Sequence, residues 1–460
     1  MRVAFSTLGC RLNQAETDSM SEQLEAVGIE RVARAEDAGV VVVNTCTVTR
    51  EATKASRMAI RRAVAANPGS RVVVIGCYAV SDPDEIRTID GVDLVLGNDA
   101  KDSLPEALGL TAPPKPLMQI GIRRDGVGGQ RKVRANLKVQ TGCDEWCTFC
   151  IIPTTRGPLK STNEDDLVAE ARARAAAGAR ELVLTGVHLG KYTFDTGGDE
   201  RSLVRLFGRL LDIDGVLRLR LSSIFARHLT REVLDFMASE ERMCRYLHVP
   251  LQSGDPKVLA DMHRSYEIGE YVEHVERAVD ALPGVALATD LIVGFPTETD
   301  EAFEGTMEVV QRLRFSKLHV FRYSPRPGTA AAGMADSVPP AVKKERSKRL
   351  IDLGNAIRND FLNAHLGVPL EVLVEDERGV EPAAGSAGAP NECVTVSSGQ
   401  TSDYVRVWFE GGGMLGSLVD VRGTGIRSDG IRGELIDRSA RRSAKEEIDR
   451  SARRSAKEET

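Results

Sequence analysis

Apolar positions in the first quarter of the chain fall into short continuous runs. Residues 2–5, 40–43, 72–75 and 93–96 read as strands, and the all-apolar runs at 40–43 and 72–75 suit strands buried on both faces. Between them, residues 14–27 and 50–66 carry helical periodicity, and Asn67-Pro-Gly69 ends the second helix. Strands alternating with helices predict a parallel α/β sheet with right-handed crossovers. The pattern then repeats on a larger scale. Six strand-like runs occur at residues 135–140, 182–185, 217–222, 246–250, 286–293 and 317–323, with helical patterns such as 164–177, 201–211 and 300–312 between them. That is an incomplete barrel of six β-α repeats, a fold whose chemistry sits at the carboxyl ends of the strands. A long mixed-charge helix at 339–365 precedes short alternating strands at 370–374, 393–396, 404–408 and 418–422, a small all-β barrel pattern.

The predicted fold class is therefore α/β, with an N-terminal parallel α/β sheet, a central partial (β/α)6 barrel and a small C-terminal all-β barrel. The domains expected are 1–125, 130–364, 365–435 and a tail at 436–460. Residues 112–129, rich in Pro and Gly, read as the linker between the first two. The tail is a tandem duplication, Ile436 to Glu447 repeated as Ile448 to Glu459. It is too charged to bury a core, so disorder or an exposed helix is expected.

With 460 residues, 42% apolar and 28% charged, the composition is that of a globular protein of several domains. No apolar run reaches membrane length, and the first residues read as a strand and not a signal peptide, so a cytoplasmic location is the default expectation. There, the eight cysteines are better metal ligands or free thiols than disulfides. A net charge of -6 means that an RNA partner would need local basic patches. Arg123, Arg124 and Arg131-Lys-Val-Arg134 form one candidate, and Lys343, Lys344, Arg346, Lys348 and Arg349 another. A solvated face is the alternative for such patches.

The cysteine positions carry the chemistry. Thr141-Gly-Cys-Asp-Glu-Trp-Cys-Thr-Phe-Cys150 sets Cys143, Cys147 and Cys150 at C-x3-C-x2-C, just past the first strand of the partial barrel. A structural zinc site wants a fourth ligand nearby, and none follows before Cys244. Three thiolates suit a four-iron, four-sulfur cluster with one iron open; an unrelated zinc or chance grouping is the alternative. Cys10, Cys46 and Cys77 each fall just past a strand of the first sheet, so residues distant in sequence should converge at one sheet edge as a second open cluster. Taken singly, each would more often be a small buried hydrophobe. No G-x-G-x-x-G follows the first strand, which removes support for a dinucleotide site. Cys244 and Cys393 read as ordinary buried or free thiols. Further polar groups follow the later barrel strands: Gly186 and His188, Ser222 and Ser223, His248 to Gly254, and Asp290 to Glu298.

Together with His248-Val-Pro-Leu-Gln-Ser-Gly254, Asp290-Leu-Ile-Val-Gly-Phe-Pro-Thr-Glu298 and Phe321-Arg-Tyr-Ser-Pro-Arg-Pro-Gly-Thr329, these features resemble the radical S-adenosylmethionine (SAM) methylthiotransferase family over residues 1–434. Thr7-Leu-Gly-Cys-Arg-Leu-Asn-Gln14 and Val43-Asn-Thr-Cys-Thr-Val-Thr49 resemble its branch acting on threonylcarbamoyladenosine in tRNA. The resemblance implies two 4Fe-4S clusters, on Cys143, Cys147 and Cys150 and on Cys10, Cys46 and Cys77. It implies SAM cleavage at the first, hydrogen removal from C2 of the adenine beside the anticodon, and sulfur insertion from the second, with a further SAM as methyl donor. It also implies an external electron donor and sulfur source. Gln252, Ser253, Asp290 and Gly186 are the residues expected to contact SAM. The C-terminal unit resembles a TRAM domain, in which Tyr404, Arg406 and Trp408 would offer stacking and charge to RNA, Trp408 being the better candidate for a core position. Two substrates of the same chemistry stay open, isopentenyladenosine in tRNA and a ribosomal-protein aspartate. A non-catalytic iron–sulfur RNA-binding redox sensor is the rival from another class.

Overall fold

The computed structural model describes residues 1–111, 132–380 and 394–437. The 112–129 linker, Arg123, Arg124, Arg131, Cys393 and nearly all of the duplicated tail lie outside the described residues.

The first sheet is parallel, built from β1 (Arg2–Thr7), β2 (Glu30–Arg31), β3 (Val40–Thr45), β4 (Arg71–Gly76) and β5 (Leu94–Leu96) in the order β2-β1-β3-β4-β5. Its helices are α1 (Arg11–Ala26), α2 (Arg50–Ala66), α3 (Cys77–Ser81), α4 (Pro83–Arg87) and α5 (Leu104–Ala107). The continuous apolar runs have a simple cause. Val41, Val43, Val72 and Val74 pack against Ile60 and Ala63 of α2, while Val40, Val42, Val73 and Ile75 pack against Met20 and Leu24 of α1. Successive side chains thus enter two separate cores. The two-residue β2 is too short to carry a sequence signal.

Six parallel strands follow: β6 (Arg134–Lys138), β9 (Glu181–Thr185), β10 (Arg218–Leu221), β11 (Tyr246–His248), β12 (Ala286–Val293) and β13 (Lys317–Arg322). The triplets β10-β9-β6 and β11-β12-β13 are joined by the single bridges Leu219↔Met243 and Ser223↔His248, giving an open, six-stranded partial barrel. A short antiparallel pair, β7 (Gln140–Thr141) and β8 (Lys160–Ser161), brackets the C-x3-C-x2-C loop and α6 (Ile152–Arg156). The outer helices are α7 (Glu164–Ala176), α8 (Arg201–Leu211), α9 (Arg231–Ser239), α10 (Pro256–Asp261), α11 (Ile268–Ala281) and α12 (Asp300–Leu313). They cover the core made by the outward faces of the strands, including Leu182, Leu184, Leu219, Leu247 and Leu291.

The long α13 (Pro340–Asn363) leads to a closed barrel of β14 (Pro369–Val380), β15 (Val394–Thr401), β16 (Arg406–Glu410), β17 (Leu418–Arg427) and β18 (Gly430–Ile436), ordered β14-β15-β16-β18-β17. This small barrel plugs the amino-terminal end of the partial barrel. Glu181, fully buried, pairs there with Arg134 at 2.9 Å, Arg218 at 2.8 Å and Arg220 at 2.7 Å. The Arg218 and Arg220 guanidinium groups donate to main-chain oxygens of Gln400, Thr401 and Ser402, and that of Arg134 to the Gln400 side-chain oxygen and the Tyr404 hydroxyl. Tyr404 stacks on Tyr246 with ring centroids 4.8 Å apart, beneath the guanidinium groups of Arg11, Arg134 and Arg220.

Several surface expectations are corrected by these contacts. Tyr404 is an interdomain plug and not a stacking platform for RNA. Trp408 is the half-buried barrel aromatic open to its surroundings, with Arg406 and Arg427 over its ring at 5.5 and 4.6 Å, while Val405, Val407 and Phe409 form the barrel core. Arg134 belongs to the buried network. On α13, Lys343 pairs with Asp336, Arg346 with Glu298 and Asp300, Lys348 with Asp352 and Arg349 with Glu304. Arg346 and Arg349 therefore hold the helix to the barrel, whereas Lys348 pairs within the helix and Lys343 with the loop before it.

Candidate functional site

Strands β1, β3 and β4 are neighbours in register, with Thr7 opposite Asn44 and Thr45 opposite Gly76. Adjacent strands lie about 4.8 Å apart, so the chain brings Cys10, Cys46 and Cys77 out at one edge. Two glycines allow the approach. A Cβ on Gly9 would lie 2.6 Å from Cys46 Cβ, and one on Gly76 would lie 2.5 Å from the Thr45 carbonyl oxygen. Both have positive φ, 91° and 106°, which other residues rarely adopt. Asn13 ties the loops by donating to the Leu8 oxygen at 2.8 Å and the Thr45 oxygen at 3.0 Å. Ser56 holds the Cys46 main chain from both sides. Burial pushes the Cys46 thiol to about 11, and Cys77 and Cys10 add to the rise, as expected of thiols facing one another.

The C-x3-C-x2-C loop is closed by its own main chain. Cys143 N–H donates to the Gly157 oxygen at 3.1 Å, and Cys150 N–H to the Cys147 oxygen at 3.0 Å. Main-chain N–H groups of Glu145 and Ile152 point at the sulfurs of Cys143 and Cys150 at 3.4 and 3.5 Å. Arg264 Nη1 lies 3.1 Å from Cys147 Sγ, its guanidinium stacked between Phe225 and Tyr266. Burial pushes Cys143 to about 11 and Cys150 to about 12, with the other loop thiols contributing. A buried set of mutually repelling thiols is a poor resting state and a good ligand set, since metal binding removes the protons.

The helix that follows Cys150 packs against the helix that begins at Cys77. The short α6 begins just after Cys150 and ends at Arg156, whose side chain reaches into the first domain. There it donates to Glu16 at 2.8 Å and Asn13 at 2.6 Å. Burial alone would raise the Glu16 carboxyl, but Lys101 and Arg156 hold it at about 2. Asn98 bonds the Thr155 oxygen at 2.8 Å and faces Cys77 Sγ at 3.8 Å. From the loop after β13, Arg326 donates to both oxygens of Thr47 and to Thr53, while Ala331 N–H reaches the Thr148 oxygen at 2.8 Å.

The polar residues anticipated along the strand ends separate by level. Gly186 lies at the rim, where a Cβ would sit 3.1 Å from Gln140 Oε1. Gln140 accepts from Val187 and His188 main-chain N–H and donates to the Thr141 and Gly142 oxygens, joining the cysteine loop to the next loop. Gln252 has a positive φ of 70°, held by main-chain bonds to Asp290 and Ile292. The Ser253 hydroxyl is buried against Thr306 and the Asp255 N–H. Asp290 lies deeper, accepting from His248 at 3.0 Å and His319 at 3.1 Å. Burial would raise its carboxyl, but the two imidazoles bring it well below the usual range. His188 is a buried structural residue bonded to Glu145, which also binds Lys191 and Arg227. Asn13 and Arg326 stand inside motifs with no role legible in the sequence, and Glu16, Lys101, Gln140, Arg156 and Arg264 carry no sequence signal at all. Each is a common polar residue whose role exists only through a distant partner.

Residues 2–97 match the uncharacterized protein family UPF0004, and residues 137–310 match the radical SAM superfamily. The threonylcarbamoyladenosine tRNA methylthiotransferase MtaB of Bacillus subtilis is 36% identical over 91% of this chain and 93% of its own length. MtaB of Aquifex aeolicus is 39% identical over 82% of this chain and 93% of its own. The tRNA-2-methylthio-N(6)-dimethylallyladenosine synthase of Moorella thermoacetica is 33% identical over 94% and 97%. Among solved structures, the radical S-adenosylmethionine methyltransferase TsrM from Kitasatospora setae superposes with a TM-score of 0.54 at 17% identity, covering 72% of this chain and 75% of that one. That likeness concerns the fold.

Proposed function

The chain belongs to the radical SAM methylthiotransferase family, and from that premise we propose that it adds a methylthio group to C2 of N6-threonylcarbamoyladenosine in the anticodon loop of tRNA. The observation that supports the reading is the packing of α6, which follows Cys150, against the elements that carry Cys10 and Cys77. The MtaB names of two relatives support the threonylcarbamoyl substrate. Isopentenyladenosine in tRNA is the second reading, favoured by the dimethylallyladenosine synthase at 33% identity.

We assign Cys143, Cys147 and Cys150 to hold one 4Fe-4S cluster and Cys10, Cys46 and Cys77 the other. The surroundings fit such groups. Arg264 Nη2 and Arg326 Nε are buried without a hydrogen-bond partner, and both guanidinium groups neighbour the cysteines. N–H donors beside sulfur offset the negative charge of a thiolate-bound cluster. When bound, the clusters and SAM supply one-electron cleavage chemistry and a sulfur atom for transfer. The chain's own residues position and enclose. Arg156, Asn98 and Arg326 fix the distance between the two pockets. We place SAM along the rim at Gly186, Gln252 and Ser253, the last through its main chain, with Asp290 below. The electron donor and sulfur source are external partners in this scheme.

The groove between α2 and α13, of about 530 Å³, is lined by Thr49, Phe321, Arg322, Lys344 and Lys348, with Glu51 as its one carboxylate. We assign it to the tRNA backbone. No helix among the described residues is long and apolar enough to cross a membrane.

The test uses two variants and a nucleoside analysis. Cys143→Ala is expected to abolish SAM cleavage. Cys46→Ala is expected to retain SAM cleavage and lose methylthio product. Cleavage surviving Cys143→Ala, or vanishing in Cys46→Ala, refutes the division of labour. Mass spectrometry of tRNA nucleosides from a deletion strain is expected to lack 2-methylthio-threonylcarbamoyladenosine. Loss of the isopentenyl derivative instead selects the second reading.

A further inference from the structure

The β11-β12-β13 half of the barrel turns one face to the interior. Register pairs Tyr246 with Ala286, His248 and Lys317 with Ala288, and Asp290 with His319. Partners in a parallel sheet point the same way, so Tyr246, His248, Asp290, Lys317 and His319 share this face. Leu247, Leu287 and Leu291 point the other way, into the main core. Tyr246 and the docked Tyr404 close the floor. Above them His248, Asp290 and His319 keep 14, 22 and 34% of their side-chain surface, so the face is reached from the interior.

Its charges do not balance. Lys317 sits near two further cations, Arg11 from α1 and Arg358 from α13. Among the described residues no carboxylate pairs with Lys317. Arg11 donates to the Tyr404 hydroxyl, and Arg358 to the Ser316 oxygen at 3.4 Å, with Asp429 nearby. The one carboxylate on the face, Asp290, is taken up by His248 and His319 through the same oxygen. Burial first, then Arg358 and Arg11, make the Lys317 ammonium harder to keep charged, with Tyr404 acting in the opposite direction. Lys317 keeps an exposed surface and Arg11 and Arg358 are half-buried, so this group of like charges is open to an anion, and a bound anion stabilises it. His319 spends Nδ1 on Asp290, which leaves Nε2 for another partner.

We propose that Lys317, with Arg11 beside it and His319 on the same face, forms the subsite for a carboxylate carried by the N6 substituent of the substrate base. Threonylcarbamoyladenosine has that carboxylate and isopentenyladenosine has only hydrocarbon, so this corner decides between them. The inference rests on the base-methylthiotransferase reading above and deepens it.

The experiment uses cluster-loaded protein and three anticodon stem-loops, bearing threonylcarbamoyladenosine, its methyl ester, or isopentenyladenosine. Binding is read by fluorescence anisotropy and methylthiolation by mass spectrometry. The wild type is expected to prefer the free acid over the ester by about 10- to 100-fold, the range for a hydrogen bond to a charged group. Lys317→Met is expected to remove that preference and Lys317→Arg to restore it, a pattern that general structural damage does not produce. A wild type that accepts acid and ester equally overturns the inference while leaving the substrate reading intact, and this comparison needs no variant. A Lys317→Met protein that keeps the preference also overturns the inference. Activity on the isopentenyl stem-loop alone overturns both.

Discussion

Replacing Glu181 by Gln tests the union of the two barrels. The change keeps the volume and removes one charge at a site with no solvent access. Three guanidinium groups lose their common carboxylate: those of Arg220 and Arg218, with 0 and 3% of their side chains exposed, and that of Arg134, with 18%. What stays for Arg218 and Arg220 are main-chain oxygens of Gln400, Thr401 and Ser402, while Arg134 keeps the Gln400 side-chain oxygen at 3.0 Å, the Tyr404 hydroxyl at 3.2 Å and Glu375 at 3.4 Å. Arg218 already has two nitrogens without partners. Removing one side of a buried ion pair costs about 3–5 kcal/mol because the other side stays charged in a poorly solvated place. At about 2–4 °C per kcal/mol for a unit of 150–250 residues, a fall of about 10 °C in midpoint is expected. The chain has two tryptophans, Trp146 in the cysteine loop and Trp408 in the small barrel. In a Trp146→Phe background, Trp408 fluorescence reports the small barrel alone. Its transition in Glu181→Gln should move by that amount and precede the helical transition seen by circular dichroism. A shift under about 2 °C, less than 1 kcal/mol on the same scale, refutes the claim that Glu181 fastens the small barrel.

Gly142→Ala should lower iron bound per chain at the C-x3-C-x2-C loop, because φ is +74° and a Cβ would meet the Pro158 oxygen at 1.7 Å. Gly157→Ala, with φ +72°, ψ -164° and nothing within 4 Å, should show only the backbone cost of about 1–3 kcal/mol, so equal loss in both refutes the steric account. His365 pairs with Asp403 at 2.5 Å; burial would lower its pKa, but the carboxylate raises it above the ordinary 6.5. That contribution is complete below the unfolded value of about 6.5 and is lost as pH rises through the folded value, so the wild-type midpoint should fall above neutrality relative to His365→Gln. Parallel pH curves for the two proteins exclude this. Arg156→Met should cost about 3 kcal/mol by removing a buried partner of Glu16, and protease should then cut between the first domain and the barrel; an unchanged digestion pattern shows that α6 is not the fastener.

The local patterns of the chain determine much of this protein. Valine runs at 40–43 and 72–75 already imply a sheet with a core on each side, because strand residues alternate between faces. Cysteine spacing and strand order together place two thiol triads, since ligands at strand ends converge whatever the side-chain details. Tertiary structure alone decided the fate of the charged and aromatic residues. Tyr404 and Trp408 sit four positions apart on the same small barrel, yet one plugs an interface and the other lies under the exposed Arg427. Arg134, Lys343 and Arg346 read as surface charge; Lys343 and Arg346 are instead buried and Arg134 half-buried, each paired with a carboxylate from another element. The physical reason is range. Periodicity is a property of neighbours in sequence, whereas the energy of a charge depends on its solvation and on partners that folding brings from 47 residues away, as between Arg134 and Glu181, or from 140, as between Arg156 and Glu16.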